Sequence, residues 1–191
     1  MIRRRALLAL PVPLAALLAG CASAEPDYFR LSATPGPARR SRHRLVELRS
    51  IGLPRYLDRA EILRASGPNR LDLLSGDRWA EPMADMVGRV LGEDLQRRLP
   101  NSTVFSAGGA LSIDSDAVAE VEILRFEQEG DGPVLLMAQL AVRPASRGRR
   151  AARNVRLQAP VEGTATAALV AAMSQALGQL ADALAEMLAA A

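Results

Sequence analysis

Residues 78–99, RWAEPMADMVGRVLGEDLQRRL, hold the firmest structural signal in the chain. Met83, Met86, Val87, Val90, Leu91, Leu95 and Leu99 recur at spacings of three and four, which stacks them on one face of an α-helix. Pro82 suits an early helical position because its missing N–H is no loss there, and Glu81 puts negative charge beside the positive end of the helix dipole. Pro100 and Asn101 stop the pattern, so a helix is predicted over 82–99. Trp79, the sole tryptophan, is expected to anchor its start to a sheet. Contact with a protein partner is the competing role for Arg78, Trp79, Glu81 and Pro82.

Upstream, Tyr28-Phe29-Arg30-Leu31 reads as a short strand, followed by a Pro/Gly/Arg loop over 35–44. Leu45, Val46, Leu48 and Ile51 suggest a second strand, and 61–65 with 69–74 a hairpin turning at Gly67-Pro68. Downstream, strands are predicted at 103–106, 117–127, 134–143 and near 154–159. Residues 163–191 form a second long helix, with Leu169, Val170, Met173, Leu177, Leu180, Leu184 and Leu188 along one face. That face carries almost no cations, so a core helix, or one docked on another subunit, fits better than a membrane-surface helix. The order of elements points to a single-domain α/β sandwich over 28–191, with a mixed, largely antiparallel sheet and two long amphipathic helices.

A chain of 191 residues and 20.4 kDa leaves little room for separate cofactor and substrate domains. Every one of the 24 basic residues is arginine, which explains much of the pI near 9.9, since guanidinium does not titrate below about pH 12. Arg3, Arg4 and Arg5 belong to a removable leader, and without them 21 basic residues face 21 acidic ones. Aromatics at 3% are too few to offer stacking platforms to single-stranded nucleic acid, so no nucleic-acid partner is expected. One cysteine excludes an internal disulfide and a thiolate zinc cluster; one histidine argues against histidine metal sites and a histidine-based triad.

The chain has neither a Gly-rich phosphate loop of a common spacing nor a G-x-S-x-G elbow. Asp114 with Asp116, and Asp72 with Asp77, have spacings common in solvated loops. The expectation is therefore no catalytic residues, no metal and no cofactor. Six arginines (Arg143, Arg147, Arg149, Arg150, Arg153, Arg156) flank Ser146 and Gly148 in what reads as a loop between strands. Within it Arg147, Arg149 and Arg150 are candidates for contact with an acidic partner or anionic phospholipid, against the plainer reading of a solvated loop. His43, in the other basic stretch, is expected to be solvated.

The first residues decide the compartment. Arg3, Arg4 and Arg5 precede the apolar stretch 6–19, too short to span a bilayer, which ends in Leu18-Ala19-Gly20-Cys21. This resembles the lipobox of bacterial lipoproteins, whose signal is cut just before a cysteine that then carries diacylglycerol and acyl chains such as palmitate. The resemblance implies a signal peptide over 1–20, lipidation of Cys21 and a lipidated tether over 21–27. Ala22 rather than Asp after the cysteine implies the outer membrane in that class.

The wider chain resembles the ABC-type transport auxiliary lipoproteins, which include the paraquat-inducible protein C type. The matching pieces are Tyr28-Phe29-Arg30-Leu31, Leu53-Pro54-Arg55-Tyr56-Leu57-Asp58-Arg59 followed by Ile62, Asn69, Arg78-Trp79-Ala80-Glu81-Pro82, Leu91-Gly92-Glu93-Asp94-Leu95 and the helix through Leu169–Leu177. The resemblance implies a periplasm-facing, non-enzymatic accessory subunit working beside an ABC permease, an ATPase and an MCE-domain substrate-binding protein that move lipids or other hydrophobic compounds between membranes. It marks Tyr56, Leu57, Asp58, Arg59, Arg78, Trp79, Glu81 and Pro82 as a structural or partner motif. Homo-oligomerisation is left open. A lipoprotein scaffolding outer-membrane assembly without a transporter is the alternative, and a lipid-anchored hydrolase a third reading.

Overall fold

The structure, a computed structural model, describes residues 25–109, 113–145 and 148–191. The expected signal peptide over 1–20, the expected lipidation site Cys21 and Arg147 lie outside the described residues. The elements run β1 (Asp27–Phe29), β2 (Leu45–Leu48), β3 (Glu61–Gly67), β4 (Arg70–Trp79), α1 (Met83–Arg98), β5 (Thr103–Ser106), β6 (Ala117–Gln128), β7 (Val134–Pro144), β8 (Ala151–Ala159) and α2 (Thr166–Ala190). The α/β class and the two long helices agree with the sequence reading.

The strands form two sheets: three in the order β1-β4-β3 and five in the order β5-β2-β6-β7-β8. Strands β6, β7 and β8 make the antiparallel meander that short connections favour, whereas β2 runs parallel to both neighbours and β1 parallel to β4. In β6, Ala117, Ala119, Val121 and Ile123 alternate inward, and an irregularity between Ile123 and Arg125 resets the register so that Phe126 is also buried. In β7, Val134, Leu136, Ala138, Leu140 and Val142 are almost wholly buried.

Helix α2 packs across β6, β7 and β8, with α1 beside it and next to β5. Although α2 is long and apolar enough to cross a membrane, its leucines, from Leu169 to Leu188, are buried in this core. Gly163, at φ +119°, holds a backbone that cannot be helical, which is why α2 starts at Thr166 and not at 163. Pro82 caps α1 in extended conformation, so the helix proper begins at Met83.

The arginine-rich stretch 143–156 differs from expectation. Strand β7 continues through Pro144 and β8 already starts at Ala151, so Arg143, Arg153 and Arg156 lie on strands. Arg143 pairs with Glu120 at 2.7 Å and Arg153 with Glu186 at 3.3 Å. A high density of arginine resembles a loop, but long side chains reach water from the faces of strands, and charge on an edge strand such as β8 also deters edge-to-edge pairing.

His43 is buried, 6% exposed, and not solvated. Its N–H donates to Ser41 Oγ, and Ser102 Oγ donates to its carbonyl at 2.7 Å, which draws the residue under the connection following α1. Burial and the neighbouring Arg42 push its pKa down, and Nε2 has no hydrogen-bond partner.

Candidate functional site

The two motifs that the sequence places about twenty residues apart meet at one corner. After Pro54 the chain makes a tight turn, Leu57 N–H donating to the Pro54 carbonyl at 2.9 Å, which buries Leu57 and leaves Asp58 and Arg59 exposed. Arg59 Nε lies 2.9 Å from Glu61 Oε2 and holds that carboxyl below its usual range. Glu61 is opposite Arg78 in the β3–β4 ladder, and Trp79 N–H donates to the Ala60 carbonyl at 2.7 Å. The Tyr-Leu-Asp-Arg turn is thus fastened to the end of β4.

Trp79 closes β4 with 6% exposure. With Leu57, Leu63, Met83, Phe126 and Met173 it surrounds a void of only about 10 Å³, so turn, strand end and both helices pack around it. Glu81 reaches forward to Arg89, which also pairs with Glu93 at 3.0 Å. The carboxylate therefore ties the approach segment to the exposed side of α1 and makes no capping hydrogen bond.

Tyr56 points the other way, toward the five-stranded sheet. Its hydroxyl donates to Glu127 Oε2 at 2.6 Å, and Arg125 grips the other oxygen of the same carboxylate at 2.8 Å. Glu127 is 4% exposed, so its charge is compensated by both partners. Burial, then the hydrogen bond and charge of Glu127, push the Tyr56 phenol well above its ordinary pKa.

The chain enters at this same corner. Asp27, Tyr28 and Phe29 pair in parallel with Asp77, Arg78 and Trp79, and Ala80 N–H donates to the Phe29 carbonyl at 2.8 Å. Thr166 Oγ1 donates to Asp77, which fixes the start of α2 there.

A second cluster escaped the sequence reading. Arg98, 1% exposed, donates from Nε to Asp182 Oδ1 (2.5 Å), from Nη1 to Asp94 Oδ1 (3.0 Å) and the Thr34 carbonyl (3.1 Å), and from Nη2 to the Pro35 carbonyl (3.4 Å). Thr34 N–H donates to Asp94 Oδ1 at 2.8 Å. The guanidinium joins α1, α2 and the 34–36 loop, and a Cβ at Gly36 would lie 2.3 Å from it. The available signal was a charged pair, Asp94 and Arg98, lying four apart within the apolar stripe of α1.

Arg149 and Arg150 are exposed and border a shallow groove of about 390 Å³ that also includes Arg153, Glu186 and Ala191. They stand apart from the Trp79 corner, sharing none of its hydrogen bonds. Among the described residues no group of three or more His, Cys, Asp or Glu side chains is placed to hold a metal.

A crystal structure of an uncharacterized protein resembles this chain with TM-score 0.72 and 18% identity, covering 85% of this chain and 98% of that one. A Xanthomonas campestris protein assigned to the family of unknown function DUF330 resembles it with TM-score 0.64 and 23% identity, covering 85% and 92%. At these identities the likeness is one of fold. No curated protein matches the sequence. The family model of the ABC-type transport auxiliary lipoprotein component matches residues 29–185, from the end of β1 to the last turns of α2, and the chain belongs to that family.

Proposed function

We propose that this protein is a lipid-anchored, periplasm-facing accessory subunit of an ABC transport system of the MCE type, which moves lipids or other hydrophobic compounds between inner and outer membranes. The observation that carries the reading is membership of the transport auxiliary lipoprotein family across almost the whole folded region. Its partners are then an MCE-domain substrate-binding protein with its permease and ATPase, and its anchor is Cys21 in the outer membrane. It acts by binding. The Tyr56–Arg59 turn and Arg78–Pro82 form a braced corner against β1, suited to holding a partner in fixed orientation, and Arg149 and Arg150 offer a separate cationic contact, to which Arg147 is added from the sequence.

Affinity copurification of the acylated chain from detergent-solubilised envelopes tests this. Coelution of an ATPase, a permease and an MCE-domain protein is expected, and Arg147→Glu/Arg149→Glu/Arg150→Glu should weaken it most at low salt, where exposed charges are least screened. Coelution of outer-membrane assembly proteins without any transporter component would favour the scaffold alternative. Cys21→Ala should abolish acylation; acyl label retained by that variant refutes the lipid anchor.

A further inference from the structure

The three-stranded sheet exposes more apolar surface than its place in the core explains. Leu71 and Leu73, two apart on β4, are 42% and 51% exposed, and Tyr28 on β1 is 65% exposed. Their ladder partners Ala65 and Leu63 are buried, so the two leucines overhang the margin of the core. Asp72 and Arg70 alternate to the opposite face of β4, where they pair with each other at 3.0 Å, so that ion pair does not interrupt the leucines. Two exposed leucines on one face of β4, with an exposed tyrosine on the adjoining strand, give this end of the sheet the composition of a membrane interface rather than of free solvent.

The position of this patch selects its occupant. On the lipidation reading proposed above, on which this inference rests, the anchor is Cys21, and a chain of six residues cannot carry it more than about 20 Å from Asp27. Asp27 is opposite Asp77. Leu73 and Leu71 lie four and six residues before Asp77 on the same strand, within about 13 and 20 Å at ~3.3 Å per residue. The exposed leucines therefore lie no farther from the tether's point of entry than the anchor can reach.

We infer that the β3–β4 hairpin rests on the leaflet that holds the anchor, with Leu71, Leu73 and Tyr28 entering the headgroup region of the lipid surface. The hairpin is then a second, non-covalent foot. It sets the tilt of the domain and turns the Trp79 corner and the helices to fixed directions, which a single point of attachment cannot do.

Because Cys21 is the only thiol and is consumed by lipid, Leu73→Cys creates a single site for a nitroxide label in the full, acylated chain. The protein is placed in vesicles of phosphatidylethanolamine and phosphatidylglycerol at three to one, and Arg150→Cys supplies the reference label. Collision of the label with oxygen, which enters lipid, and with a nickel chelate, which does not, gives the depth. The expected result is an oxygen-to-nickel ratio at least fivefold higher at 73 than at 150. A second variant, Tyr28→Cys with Leu71→Ser and Leu73→Ser, should keep its far-ultraviolet circular dichroism and lose shielding relative to Tyr28→Cys alone. A label at 73 as open to nickel as that at 150, in protein whose mass shows the acyl chains, overturns the docking inference and leaves the anchor intact. Shielding from both quenchers, with dipolar broadening removed by unlabelled protein, means a second copy covers the patch and also overturns it. Absence of the acyl mass on Cys21 overturns the anchor and this inference together.

Discussion

Replacing Arg98 with methionine removes the guanidinium that joins α1, α2 and the 34–36 loop while nearly preserving side-chain length. Asp94, 0% exposed, then loses its salt-bridge partner and keeps the donors of Thr34, the N–H at 2.8 Å and the hydroxyl at 3.5 Å. Breaking a buried pair on one side costs about 3–5 kcal/mol, because the orphaned charge stays desolvated. For a chain of this size about 1 kcal/mol corresponds to ~2–4 °C, so the melting temperature should fall by about 6–20 °C. Removing both members is expected to be milder: Arg98→Met with Asp94→Leu should recover part of the loss, since an apolar pair of similar volume leaves no buried charge.

The pH dependence has a definite sign. Burial already raises the Asp94 pKa against the opposing pull of Thr34 and Arg98. In Arg98→Met it rises further, so the folded state holds a proton that the unfolded chain releases near pH 4. The deficit of the variant should therefore grow as pH rises from about 4 toward neutrality, a window set by unfolded and raised folded values. Urea unfolding followed by circular dichroism at pH 4.5 and 7.5 measures both effects. A single variant within about 1 kcal/mol of wild type at neutral pH, or a double variant less stable than the single, would refute the reasoning.

Trp79→Ala empties the space between Leu57, Met83 and Phe126 and should cost about 3–5 kcal/mol in denaturant unfolding; if it melts like wild type yet loses copurifying partners, the residue serves contact rather than packing. Tyr56→Phe removes a hydrogen bond to a buried carboxylate, a loss of about 1–3 kcal/mol at neutral pH, read as a lower urea midpoint. Because the Tyr56 pKa is raised on folding, wild-type stability should decline above about pH 10, where the unfolded phenol ionises, and Tyr56→Phe should flatten that decline. His43 has a lowered pKa, so its contribution is present above about pH 6.5 and lost on acidification; the slope of stability between pH 6.5 and 5 should shrink in His43→Gln.

Local patterns gave the sequence its reach. The three-and-four spacing from Met83 to Leu99 specified α1, the alternation of 117–123 specified β6, and the Gly67-Pro68 signal placed the β3–β4 turn, because each depends only on neighbours a few residues away. The arginine stretch misled for the same reason: composition was read where alternation mattered, and the partners Glu120 and Glu186 come from other elements.

What the sequence by itself determined was the class of fold, the two helices and the family motifs. What only the tertiary structure decided was which of these pieces touch. The division into two sheets and the parallel runs of β1 and β2 depend on pairings between residues fifty or more positions apart, which leave no periodic trace. The burial of His43, the Tyr56–Glu127 bond and the Arg98 junction with Asp182 are contacts of that kind, and the meeting of Trp79 with the Tyr56–Arg59 turn, though only about twenty residues apart, leaves no periodic trace either. A charged or polar side chain looks the same in sequence whether it ends in water or in the core. Its environment is set by the elements folded against it, and so is its chemistry.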